Sequence, residues 1–191
     1  MAIKKFKPTT QTTRHTQLED RSHLSKQRPL KRFTVGKRAR GGRNTAGRIT
    51  VRHRGGGVKR LLRKIDHRKD KFDIQGVVEV LEYDPNRSAH LALVRYADGE
   101  RRYVLAARGM TVGSKVISGE NVLPVTGNTT QLKNIASGTA VFDVELTKGK
   151  GGQLGRSAGT AIQVQGVDPT GRYVQLKMPS GEIRLVHAQC Y

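Results

Sequence analysis

Basic side chains crowd the stretch from Gly41 to Arg68, GGRNTAGRITVRHRGGGVKRLLRKIDHR, around two glycine clusters, and little apolar surface is left to bury. Guanidinium and ammonium groups make charge-assisted hydrogen bonds to phosphate oxygens, and glycine lets a backbone lie against a ligand with no side chain between them. Arg43, Arg48, Arg52, Arg54, Lys59, Arg60, Arg63 and Lys64 form a ribbon too long and irregular for one small anion. The chemistry indicated is phosphate binding along a polyanion, for which a nucleic acid fits. Gly55, Gly56 and Gly57 stand between Arg54 and Lys59, where consecutive glycines bring backbone amides close to phosphates as a loose anion-binding nest.

A second glycine-and-cation run, KGKGGQLGRSAG over Lys148–Gly159, could be mistaken for a nucleotide-binding loop. A P-loop needs G-x-x-x-x-G-K followed by Ser or Thr where a helix opens; here each lysine after a glycine is followed by Gly, and strand-like residues come next. A long hairpin loop of small residues entering the grooves of folded RNA accounts for it better. Catalysis has no constellation to stand on. Ser157 has no assignable base, and Asp66, Asp84, Asp98 and Asp168 fall in turns, where aspartate caps its own backbone. The six histidines show no pair at metal-ligand spacing, and Cys190 is the one cysteine, so neither a metal cluster nor an internal disulfide is expected. Aromatics are few, and Tyr83, Tyr96, Tyr103, Phe142 and Tyr173 lie in strand patterns where packing is their default role, so recognition should rest on RNA shape more than on base stacking.

The elements that carry these loops can be placed from charge and periodicity. Of the net charge of +21 on 191 residues, residues 1–71 hold 23 Lys and Arg against 4 Asp and Glu, whereas residues 72–191 hold 13 against 11. A basic arm therefore precedes a nearly neutral body. Met1 to Arg40 lacks periodicity and is expected to order only on binding, with Ile49 and Val51 alternating as a short strand beyond it. From Ile74 a run of strands begins: Val78–Glu82, Leu91–Tyr96, Arg101–Ala106 and Val112–Ile117, separated by Asp84-Pro85-Asn86 and Asp98-Gly99 turns. Asn121–Gly138 reads as a linker. Val141–Leu146, Ala161–Val167, Tyr173–Met178 and Glu182–His187 form a second run. Short strands with Gly and Asp turns predict two small barrels, a mainly β fold. No apolar run reaches the roughly 20 residues of a membrane span.

MAIKKFKPTT, GGRNTAGRITVRHRGGGVKR, EYDPNRSAHLALVRYADGERRYVLA, GKGGQLGRSAGT and LKMPSGEIRLV occur in this order, and in this respect the chain resembles the universal ribosomal protein two family of the large subunit, in its bacterial or organellar form. The resemblance covers nearly the whole chain. It implies a basic RNA-binding arm (1–73), an OB-fold barrel (74–122) and an SH3-like barrel (123–191), bound to large-subunit ribosomal RNA near the peptidyl transferase centre among other ribosomal proteins. The implied RNA contacts are Arg43, Arg48, Arg52, His53, Arg54, Gly55, Gly56, Gly57, Lys59 and Arg60, joined by the neighbouring Arg38, Arg40, Arg63, Lys64 and Arg68, and in the second loop by Lys148, Lys150 and Arg156. The family usually has histidine after the glycine triplet, where this chain has Val58.

Family members also continue past the position of Tyr191 with a strand that closes the second barrel and a basic tail. The second barrel is therefore expected to be incomplete at its C-terminal edge, with a second chain supplying the remainder or, alternatively, a truncation. A split of that kind favours the mitochondrial matrix over the bacterial cytoplasm. No cofactor is expected, structural Mg2+ belonging to the RNA, and no enzymatic activity. The competing reading is a non-ribosomal RNA-binding architectural or translation-factor-like module, since these barrels occur in many such proteins.

Overall fold

The computed structural model describes residues 3–191. Fourteen short strands make up its regular structure: β1 (Ile3–Lys5), β2 (Gln17–Glu19), β3 (Thr34–Gly36), β4 (Leu61–Arg63), β5 (Gly76–Glu82), β6 (Leu91–Tyr96), β7 (Arg101–Leu105), β8 (Lys115–Val116), β9 (Ala140–Val141), β10 (Val144–Glu145), β11 (Gly152–Leu154), β12 (Ile162–Val167), β13 (Tyr173–Lys177) and β14 (Ile183–His187). One helix, α1 (Gln11–His15), joins them. The two curled four-stranded sheets, in the orders β7-β6-β5-β8 and β14-β13-β12-β9, carry the OB-fold and SH3-like barrels. All their pairings are antiparallel.

Both sheets curl with the help of a bulge. Glu79 and Gln165 are left unpaired where the register shifts between Val78 and Val80 and between Val164 and Gly166. An extra residue on one strand increases local twist, which lets so few strands wrap round a core. In the second sheet the alternation is clean, with Ile162, Val164, Val174, Leu176 and Val186 inward and Gln163 and Lys177 outward. Leu91–Val94 of β6 is instead a continuous apolar run, and the reason is burial on both faces. Ala92 and Val94 join Val78, Leu81, Tyr96 and Val104 inside the barrel. Leu91 and Leu93, with Tyr103 and Leu105, form a second core against Phe33 and Ile65 of the arm and Phe142 of the second barrel. This outer core is what sets the arm and both barrels against one another.

The arm is more ordered than its sequence predicts. β1 pairs with β2 across α1, whose N-cap Thr10 accepts from the Thr13 amide at 3.3 Å. Leu24 is buried in the first barrel's core, Ser25 donates its amide to the Leu81 carbonyl at 2.8 Å, and the Arg21 guanidinium lies 3.6 Å from the centre of the Tyr83 ring. The expectation that this segment orders only on binding is therefore corrected for residues 3–40, because one leucine finds a place in the barrel; Met1 and Ala2 lie outside the described residues. Ile49 and Val51 form no strand, only a single bridge from Ile49 to Arg43. Val141–Leu146 is divided, since Asp143 takes a left-handed conformation (φ 54°) that sends β9 and β10 into different sheets. The linker is shorter than expected: Thr130, Gln131 and Leu132 are buried, and a 3-10 turn covers Leu132–Asn134.

Candidate nucleic-acid interface

β3 and β4 pair as the stem of a projecting loop, closed where the Lys37 amide donates to the Arg60 carbonyl at 3.1 Å. Within the loop the chain reverses tightly. The Asn44 amide donates to the Arg48 carbonyl at 2.9 Å, the Asn44 side chain accepts from the Arg48 amide at 3.0 Å, and the Gly42 carbonyl accepts from the Thr50 and Val51 amides at 3.0 and 3.1 Å. Gly42 (φ 68°) is required twice over: its backbone is left-handed, and a Cβ would collide with the Val51 carbonyl oxygen. His53, Gly55, Gly56 and Gly57 are left-handed as well. Apart from the adjoining residues, no atom of the described residues lies within 4 Å of where a Cβ on Gly56 or Gly57 would stand, so this backbone is bare and open to a ligand. Ala39, Arg40, Gly41, Gly42, Val51, Arg54 and Gly55 line a shallow groove beside it.

The free cations are concentrated in this loop. Arg38, Arg40, Arg43, Arg48, Arg52, His53, Arg54, Lys59, Arg60, Lys64 and Arg68 are all exposed, and none of them has an acidic partner among the described residues. Of the barrel cations, Arg87, Arg95, Arg101 and Arg102 are held by acids, while Arg108, Lys115, Lys133, Arg172 and Lys177 are exposed and scattered, with no acidic partner among the described residues. Arg101 pairs with Glu79 at 2.7 Å, and Arg102 reaches Asp66 at 2.8 Å, Glu100 at 2.9 Å and also Asp70. Arg63 goes the same way despite its place in the basic ribbon. Its side chain is 9% exposed and lies 3.6 Å from the fully buried Asp84, which also accepts from Arg87 at 2.7 Å. Burial alone would raise the Asp84 pKa, but hydrogen bonds from the Asn86 amide and the Arg87 guanidinium hold it below the usual carboxylate range. The four aspartates expected in turns do cap backbone amides: Asp66 those of Arg68 and Lys69, Asp84 that of Asn86, Asp98 that of Glu100 and Asp168 that of Thr170.

Glu145, buried on β10, shapes the second loop by accepting from the Gly149 amide at 3.3 Å, the Gly151 amide at 2.9 Å and the Tyr191 amide at 3.2 Å. Lys148 bends back to Gln189 at 2.7 Å, whereas Lys150 is exposed and has no acidic partner among the described residues. Arg156 donates to the Gly152 carbonyl and stands 3.8 Å from Asp143. Gly152–Leu154, expected to be irregular, is strand β11 paired with β10.

The two basic segments meet. The Gly152 amide donates to the His67 carbonyl at 2.8 Å, and a side chain on Gly151 would press on Arg68. The turn at Pro85–Ser88 extends the contact: the Pro85 carbonyl accepts from Arg60 at 2.9 Å, Asn86 donates to the Leu61 carbonyl at 2.7 Å, and Ser88 Oγ accepts from the Ala158 amide at 3.1 Å. Arg38–Gly57 makes no such contact with the second loop; the tip is held by its own backbone. Sequence reasoning missed His67, Lys69, Asp143 and Glu145 as the residues that make this junction. The available signal was a pair of acids, Asp143 and Glu145, in an otherwise apolar strand pattern, AVFDVEL.

Residues 30–118 match the family described as "Ribosomal Proteins L2, RNA binding N-terminal domain", and residues 125–191 match "Ribosomal Proteins L2, C-terminal domain". Among similar curated proteins, the large ribosomal subunit protein uL2 of Nitrobacter winogradskyi is 51% identical over 190 residues, and that of Rhodopseudomonas palustris is 52% identical over 190. The uL2 of Methylacidiphilum infernorum is 49% identical over 191 residues. Each match covers all of this chain and about two thirds of the relative, 68%, 68% and 67% respectively.

Proposed function

This chain belongs to the L2 family of ribosomal proteins, RNA-binding structural constituents of the large subunit, and we propose that it binds ribosomal RNA with the face formed by its arm loop and its second glycine loop. The observation that carries this reading is the clustering of free cations: those of the arm loop are exposed and without an acidic partner among the described residues, whereas Arg87, Arg95, Arg101 and Arg102 of the first barrel are engaged by acids. Unpaired cations neutralise phosphates and let packed RNA helices approach, at no loss of internal ion pairs. The barrels give the two loops fixed positions. Arg38, Arg40, Arg43, Arg48, Arg52, His53, Arg54, Lys59, Arg60, Lys64, Arg68, Lys148, Lys150 and Arg156 are assigned to RNA, together with the backbone of Gly55–Gly57, which is bare at Gly56 and Gly57. Arg63 is assigned to the fold. Ordering of the peptidyl transferase region is carried over from the family resemblance, and no reaction or cofactor is assigned to the chain itself, Mg2+ being the RNA's own.

Two narrower assignments are proposals of the same kind: an organellar ribosome, and a second chain that adds to the second barrel. Six relatives at 49–52% identity, among many that match, are bacterial, which supports a ribosome of bacterial type in either compartment. One experiment tests the function and sorts these alternatives. The chain should remain with large subunits in stoichiometric amount through a high-salt wash, and a protein that washes off is not a structural constituent. Mass spectrometry of the same subunits, purified from organelles and from whole cells, reports the compartment and any companion polypeptide.

A further inference from the structure

Asp143 is fully buried, yet three basic side chains from two separate segments converge on it. His67 Nδ1 donates to its Oδ1 at 2.9 Å, Lys69 Nζ lies 3.3 Å from its Oδ2, and Arg156 Nε lies 3.8 Å from its Oδ1. Burial pushes the carboxyl pKa up, and the His67 hydrogen bond and the Lys69 charge more than reverse this, so it stays ionised. Its neighbour Phe142 packs into the outer core of the first barrel, with the Lys69 ammonium 5.6 Å from its ring centre. Gly152 is needed beside it for another reason: its backbone is not left-handed, but a Cβ there would run into both the Asp143 carbonyl and its carboxylate. A single negative charge cannot neutralise the cations around it. Arg68, whose stem lies against Gly151, and Lys150 add two more exposed charges to the same junction.

We propose that Asp143 is a positioning residue for RNA binding, which clamps the arm's His67–Lys69 turn onto the second glycine loop so that Arg68, Lys150 and Arg156 line one continuous phosphate track. The inference rests on the RNA-binding reading above and adds to it that both loops grip one RNA backbone across the junction rather than two independent strands. The buried acid supplies geometry, and the surplus positive charge around it supplies affinity.

Asp143→Asn tests this with the full-length chain and deproteinised bacterial large-subunit RNA. Asparagine tolerates the left-handed backbone and keeps the shape of aspartate, so only the charge that draws the cations together is removed. The expected result is an affinity about tenfold lower at moderate salt, with a logarithmic salt slope shallower by about one to two. A residue acting simply as a negative charge near RNA would give the opposite sign, tighter binding and a steeper slope, and that outcome overturns the proposal, as does an unchanged slope. Should Asp143→Asn lower folding stability too far, Arg68→Gln and Lys150→Gln, both at exposed positions, decide instead. On one shared track their combined effect departs by more than about threefold from the product of the single effects, and simple multiplication refutes it. Wild-type protein that fails to bind RNA would sink the functional reading as well, whereas wild-type binding with an unaltered Asp143→Asn variant would sink only this inference.

Discussion

Two arginines can carry the same charge and do opposite work, and the nearest acid decides which. Arg52 and Arg54 have none among the described residues; Arg101 and Arg102 are held by Glu79, Asp66, Asp70 and Glu100. Replacing Arg52, Arg54, Lys59 and Arg60 together by glutamine should lower RNA affinity at every salt concentration and flatten the logarithmic salt slope by about three to four, close to one per lost phosphate contact. Thermal melting should hardly change, because exposed and unpaired charges contribute little to folding. Replacing Arg87, Arg101 and Arg102 should do the reverse, lowering the melting temperature by stripping partners from Asp84, Glu79 and Asp66 while the salt slope holds. Equal effects of the two sets on the slope would contradict the clustering of free cations on which the interface is drawn.

At the level of elements, short strands with glycine turns have little surface of their own to bury, so the way segments are pinned matters more than their length. The N-terminal hairpin β1–β2 touches the first barrel through Leu24, through Arg21 on Tyr83, and through the Glu19 carboxylate, which accepts from His90 at 2.8 Å. Leu24 is the one apolar anchor of this strap in the barrel core, being 6% exposed. Leu24→Ala should lower stability by about 2–3 kcal/mol, at the lower end of buried leucine truncations because the strap can relax around the gap. It should also open Arg14, Arg21 and Lys26 to trypsin while both barrels stay protected. Limited proteolysis with mass mapping checks this, and an unchanged digestion pattern would show that the strap is held by its ionic contacts instead. The outer core obeys the same logic: Phe33, Ile65 and Phe142 come from three segments distant in sequence, and the second face of β6 and β7 gathers them.

Seen as one molecule, the protein is an electrostatic gradient built on a neutral frame. With +19 of its +21 formal charge in residues 1–71, association with RNA should be governed by counterion release. If about ten phosphates are neutralised, the affinity of the whole chain for isolated large-subunit RNA should fall with salt at a logarithmic slope of about −7 to −9. A slope near zero would mean that base contacts or apolar burial dominate, and the interface described here would be wrong.

Much of this architecture is legible in the residues alone. Charge separates arm from barrels because it needs only counting. β5, β7, β12, β13 and β14 follow from alternation, β6 from its apolar run, and all of them from the Asp and Gly turns that bound them, since local backbone chemistry sets these signals. The two glycine-and-cation loops are visible because a phosphate-binding surface is written in residue type. What folding alone reveals is the pairing of distant side chains. That Leu24 enters the barrel follows from the apolar space left there, and that Arg63 faces Asp84 and Asp143 gathers His67, Lys69 and Arg156 follow from burial, which requires an internal carboxylate to be paired or hydrogen-bonded by whatever groups the chain brings close. Residue type marks a cation as able to bind phosphate; its surroundings in the folded chain determine whether it is free to do so.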